Sequence, residues 1–149
     1  MEEEARVTDM SATTRWRVLG LHHVAFARGD DPTADGALCE LLGTQPHTEE
    51  GPGFTERMYG VGDAFVQTLE ATGPGVVQTF LDKRGAGLHH VAFAVDALAP
   101  ALEDLRARGV RLVDDAPRPG GMGSRIAFVH PSAFGGMLVE LVEPGATQA

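Results

Sequence analysis

The stretch Leu-His-His-Val-Ala-Phe-Ala occurs twice, from Leu21 to Ala27 and from Leu88 to Ala94, with the copies 67 positions apart (90 − 23). Histidine is the side chain best suited near neutral pH to carry a proton or hold a metal ion, and its two ring nitrogens can take different tasks. An ordinary buried strand has no use for adjacent imidazoles. Strand side chains alternate between faces, so His23, Ala25 and Ala27 share one side while His22, Val24 and Phe26 share the other. The second copy sorts alike, with His90, Ala92 and Ala94 set against His89, Val91 and Phe93. The valine and phenylalanine face suits packing under helices. The opposite face carries an imidazole followed only by alanines, which predicts open volume beside a polar group, as a ligand site requires. His23 and His90 are therefore read as site residues, and His22 and His89 as structural or as supports behind them.

Two imidazoles related by an internal repeat make half of a metal site, and the other half should be oxygen donors from equivalent strands. The run Phe-Val-Gln-Thr-Leu-Glu offers Gln67 among apolar neighbours, where an unpaired amide would be costly. Glu140 stands between Val139 and Leu141, and ionised carboxylates are seldom left in such a run without a partner. The spacings are 44 from His23 to Gln67 (67 − 23) and 50 from His90 to Glu140 (140 − 90). The extra residues fall in the loop Pro-Arg-Pro-Gly-Gly-Met-Gly, which lacks a Walker lysine and reads as a turn over substrate rather than a phosphate cradle.

Those residues need elements to hold them. At 149 residues the chain has room for one domain or two fused halves, and each half shows the order β, α, then about three β. This places the fold in the α+β class. A first helix is expected over Thr33–Gly43 with Leu38, Leu41 and Leu42 on its inner stripe, and a second over Ala97–Gly109 with Leu98, Ala101, Leu102 and Leu105 inward. Strands are expected over 55–61 and 64–71 in the first half, and over 110–116, 124–131 and 136–143 in the second. The domain runs over 16–145, with modules of about 16–82 and 83–145, between flexible tails at 1–15 and 146–149. A formal charge of −9 argues against nucleic acid or an anionic membrane as partner. No apolar run approaches the ~20 residues of a membrane helix, and the acidic start has no signal-like stretch, so a cytoplasmic protein is expected. Cys39 is the single cysteine and reads as a helix side chain rather than a nucleophile.

The two histidine strands and the segment from Gly87 to Glu143 resemble the vicinal oxygen chelate (glyoxalase/bleomycin resistance/dioxygenase) superfamily, and within it the methylmalonyl-CoA epimerases. Similarity runs from about Val18 to Glu143. The resemblance implies tandem βαβββ modules forming a curved metal-binding sheet, a homodimer, and a small acyl-CoA substrate. It also implies one divalent ion per site, cobalt, manganese, zinc or nickel, on His23, Gln67, His90 and Glu140. In such enzymes the ion chelates thioester and carboxylate oxygens and stabilises the enolate formed by α-proton abstraction. Inversion needs an acid and a base on opposite faces, roles the resemblance assigns to Glu56 and Glu140.

The chain departs from that pattern where Pro74 and Gly75 replace an Asp-Ser pair before a helix, where Ser132 replaces a lysine, and where the first helix lacks an aromatic pair. Other chemistries share the fold: a glyoxalase-like isomerase, an iron dioxygenase, a natural-product tailoring enzyme or a non-catalytic binding protein. An iron dioxygenase would use three ligands and leave Gln67 without a purpose, and a binding protein need not keep four ligands.

Overall fold

The computed structural model describes residues 15–145, so the expected tails, apart from Arg15, lie outside the described residues. Its strands are β1 (Val18–Arg28), β2 (His47–Gly51), β3 (Phe54–Val61), β4 (Ala64–Ala71), β5 (Gly87–Val95), β6 (Arg118–Pro119), β7 (Arg125–Val129) and β8 (Val139–Glu143). Its helices are α1 (Thr33–Leu42), α2 (Val76–Arg84) and α3 (Leu98–Ala107). The class is α+β, as expected. Backbone contacts divide the chain into two units, Leu21–Ala92 and a second formed by residues up to Gly20 with those from Phe93 onward. No helix among the described residues is long and apolar enough to cross a membrane.

In the unit Leu21–Ala92 the strands run in the order β2-β3-β4-β1-β5. β1 lies parallel to β4 with Ala25 opposite Gln67 and Ala27 opposite Leu69. β3 lies antiparallel to β4 with Met58 opposite Gln67 and Glu56 opposite Leu69. Paired residues share a face, so His23, Gln67 and Glu56 point to the same side of three adjacent strands.

That face also receives α2, through Val77, Phe80 and Leu81 against Ala25, Ala27 and Leu69. The alanines of the first copy are fully buried under this helix and do not line open volume. Their small side chains let a helix approach the sheet closely. In the second copy the apolar face behaves as expected: Phe93 and Val95 pack with α3.

α1 covers the other face of the same strands, with Leu38 and Leu42 turned inward as expected and Leu41 turned out. Leu41 is 79% exposed, and the inward positions are Asp35, Leu38, Cys39 and Leu42. Asp35 fixes this rotation. Its carboxylate accepts hydrogen bonds from Arg28 Nε, Tyr59 Oη and Thr68 Oγ1, each at 2.6 Å. Arg28 also meets Glu70 at 3.3 Å, so the buried charges are paired on both sides.

Helix α2 starts at Gly75, where no side-chain cap replaces the hydroxyl of the family pattern. A Cβ on Gly75 would lie 2.9 Å from the Pro52 carbonyl oxygen, and one on Gly53 (φ 79°) would collide with the Pro74 carbonyl. The Pro-Gly pair thus lets two turns close on one another.

In the second unit the last residues of β5 continue into the order β5-β8-β7-β6. Leu98, Ala101 and Leu102 of α3 are almost fully buried against Ala127, Val129, Val139 and Leu141. The helix stops where expected, with Gly109 at φ 81° and Val110 N bonded to the Leu105 carbonyl at 3.0 Å. The strand expected over 110–116 does not form; only Leu112 makes a bridge, to Val129. Asp114 Oδ2 accepts from Phe128 N at 2.8 Å, so a side chain takes the place of a strand's backbone acceptor. β6 shrinks to Arg118–Pro119.

Candidate functional site

His23, Gln67 and His90 are 4%, 5% and 6% exposed, all within the unit Leu21–Ala92. The Nε2 atoms of His23 and His90 stand 2.9 Å apart, with their rings inclined at 76°. That spacing is short enough for both nitrogens to serve as donors to one ion, and it equally suits a proton shared between them.

Gln67 Nε2 donates to Glu56 Oε2 at 3.3 Å, which decides which way the amide faces. Gln67 Oε1, on the other side of that amide, is buried with no hydrogen-bond partner among the described residues. A buried carbonyl in that state costs free energy unless something electropositive meets it. Two imidazoles and one orphaned carbonyl form a donor set that fits a divalent cation.

Glu140 belongs to the other unit, on β8, and is 5% exposed. Its neighbours Val139 and Leu141 face α3, so Glu140 takes the opposite face of β8, where Phe128 of β7 is its register partner. The sequence-derived ligands are therefore all buried. Three of them, with Glu56, share one unit.

The family model of the Glyoxalase/Bleomycin resistance protein/Dioxygenase superfamily matches residues 22–128. The chain belongs to this superfamily. It is 32% identical over 127 residues to the ethylmalonyl-CoA/methylmalonyl-CoA epimerase of Cereibacter sphaeroides, covering 81% of this chain and 95% of that one. A solved Streptomyces coelicolor methylmalonyl-CoA epimerase variant in complex with 2-nitronate-propionyl-CoA matches with a TM-score of 0.79 at 34% identity, over 87% of this chain and 97% of the other. A match to Bacillus subtilis YqjC, 43% identical over 83 residues, spans 56% of this chain and 58% of that protein. Within the superfamily the chain therefore belongs to the methylmalonyl-CoA epimerase family, a family of isomerases.

A second carboxylate that nothing in the sequence marks stands across from Glu56. β2 pairs antiparallel with β3 and sets Glu49 directly opposite Glu56 on the same face, with His47 Nε2 2.8 Å from Glu49 Oε1. No apolar alternation marks His47–Gly51 as a strand, because it is a polar edge strand whose charges discourage further pairing. The alternation of His47 and Glu49 becomes a signal only beside β3.

Proposed function

We propose that the chain is a metal-dependent epimerase that interconverts the stereoisomers of methylmalonyl-CoA, or of a close 2-substituted acyl thioester, by removing and returning the α-proton. The observation that carries this is the buried Gln67 carbonyl, which lacks a hydrogen-bond partner among the described residues in the unit where two imidazoles stand 2.9 Å apart. The ligands assigned are His23, Gln67, His90 and Glu140, so that each half of the repeat gives one imidazole and one oxygen donor from its last strand. A divalent ion held there, cobalt, manganese, zinc or nickel, supplies Lewis-acid stabilisation of the negative charge that builds on the thioester oxygen.

Proton transfer falls to the carboxylates. Glu56 shares its face with His23 and Gln67 and takes or returns the α-proton on one side of the planar carbon, while Glu140 serves the other. A second reading of the first carrier has its own support: Glu56 already accepts from Gln67 Nε2, whereas Glu49, directly opposite, is bonded instead to the exposed His47. The acyl-CoA substrate rests on the names of the matched relatives and on the acyl-CoA analogue bound to the Streptomyces coelicolor enzyme. The protein is on this proposal a cytoplasmic homodimer, with a solution mass near twice the 15.7 kDa of one chain.

Incubation of the metal-loaded protein with methylmalonyl-CoA in deuterium oxide tests the reaction. Deuterium should enter the α-carbon at a rate that a chelator abolishes. No exchange above the uncatalysed rate with any of the four ions would reject the proposal.

A further inference from the structure

His22 Nδ1 lies 2.7 Å from His23 Nδ1, and His89 Nδ1 lies 2.7 Å from His90 Nδ1. The rings meet edge-on at 74° and 78°, with centroids 5.0 Å apart in both pairs. Two copies of one sequence thus reach the same contact on different strands. Joined by the 2.9 Å Nε2 contact between His23 and His90, the four imidazoles form one chain, His22–His23–His90–His89. Phe65 lies 5.5 Å from the His22 ring and Phe80 lies 4.9 Å from the His89 ring, so both outer imidazoles rest against an aromatic neighbour.

A neutral imidazole carries one proton, and each nitrogen–nitrogen contact accommodates one. If His23 and His90 hold an ion through Nε2, each must keep its proton on Nδ1. The nitrogen facing that proton, 2.7 Å away, belongs to His22 or His89 and must offer a lone pair. The outer rings then carry their own protons on Nε2. We propose that His22 and His89 are positioning residues that lock His23 and His90 in the Nδ1–H tautomer and aim both Nε2 atoms at one divalent ion. This inference rests on the ligand assignment above.

The usual partner for the second nitrogen of a metal-bound histidine is a carboxylate, a backbone carbonyl or water. An imidazole in that place orients the ligand without adding an anion, so less of the ion's charge is offset before a carboxylate-bearing substrate arrives.

Correlation spectra of the ring nitrogens in the zinc-loaded wild-type protein test this directly. His22 and His89 should be protonated on Nε2, and His23 and His90 on Nδ1. A proton on Nδ1 of His22 or His89 in that state would overturn the inference. Zinc affinity, measured by competition with a chromophoric chelator, gives a second readout. His22→Leu and His89→Leu should each weaken binding on the order of 10- to 100-fold, while the Asn variants, whose Oδ1 can accept in place of Nδ1, should return to within about threefold of wild type. Leu variants that bind as tightly as wild type also overturn it. A wild-type protein that binds no zinc, or a His23→Ala variant that binds undiminished, rejects the ligand assignment instead.

Discussion

Gln67 gives its amide nitrogen to Glu56 across 3.3 Å and keeps its amide oxygen buried without a hydrogen-bond partner among the described residues. The two halves of that amide are thus set to different tasks, and the carboxylate decides which half faces which way. Glu56→Gln still offers an oxygen to Gln67 Nε2, so this variant should bind metal within about threefold of wild type. Glu56→Leu removes the acceptor, leaves a buried N–H unpaired and frees the amide to turn. Its metal affinity should fall on the order of 10-fold or more, the scale of losing a partner behind a ligand. Calorimetric titration with manganese would compare the two, and equal affinities would show that Glu56 does not orient Gln67.

The imidazole pair bears on metal content more directly. His23→Ala and His90→Ala each remove one donor from a contact of 2.9 Å, and each should purify with less than about a tenth of the wild-type ion content. Elemental analysis after dialysis against metal-free buffer measures it. Full occupancy in both variants would mean that the ion, if any, lies elsewhere.

The burial of the candidate site residues was legible in the sequence because its signal is local. Strand alternation alone separated His23 from His22 and His90 from His89, and apolar neighbours picked out Gln67 and Glu140. The buried stripe of α3 was legible for the same reason, since Leu98, Ala101 and Leu102 are apolar at helical spacing. Tertiary partners decided the rest. The inward face of α1 turns on Asp35, a charged residue that becomes the best-bonded position of its helix only because Arg28, Tyr59 and Thr68 converge on it. The alanines of β1 gave no hint of what would cover them, because a small side chain is equally suited to a ligand and to a closely packed helix. Glu49 went unnoticed because an edge strand with one bonded neighbour needs no hydrophobic pattern.

Asp35 makes a stability prediction with a definite sign. Burial works against its charge, but hydrogen bonds from Thr68, Tyr59 and Arg28, and the charge of Arg28, outweigh that and hold its carboxyl below the ordinary carboxylate range. A carboxyl whose pKa is lower in the folded than in the unfolded chain contributes stability that is complete above the unfolded value, about 3.9, and lost as pH falls through the folded one. Asp35→Asn should cost about 3 kcal/mol at pH 7, the low end for breaking a buried ion pair, because Glu70 still faces Arg28. The gap in unfolding free energy between the two proteins should hold from pH 7 to about 5 and narrow below about 4. Urea titrations across that range would show it, and a gap that stays constant down to pH 3 would remove the ion pair as its cause.

The last prediction separates the two carboxylates that β2 and β3 place opposite one another. If Glu56 carries the α-proton, Glu56→Gln should lower turnover on the order of 10² to 10⁴, the usual cost of losing a general acid or base, while metal content stays at the wild-type level. KM should change little, because the lost interaction belongs to the transition state rather than to substrate binding. Glu49→Gln should then cost less than about tenfold, since Glu49 would act only through the carboxylate across from it. The reverse pattern, a large loss in Glu49→Gln and a small one in Glu56→Gln, would make Glu49 the proton carrier and leave Glu56 as the residue that orients Gln67. Deuterium exchange at the α-carbon discriminates further, because a variant lacking the carrier on one face can still exchange the isomer whose proton faces Glu140. Loss of exchange from one stereoisomer only, in one of the two variants, would identify the carrier and the face it serves; unchanged exchange from both isomers in both variants would take the β2–β3 carboxylates out of the reaction.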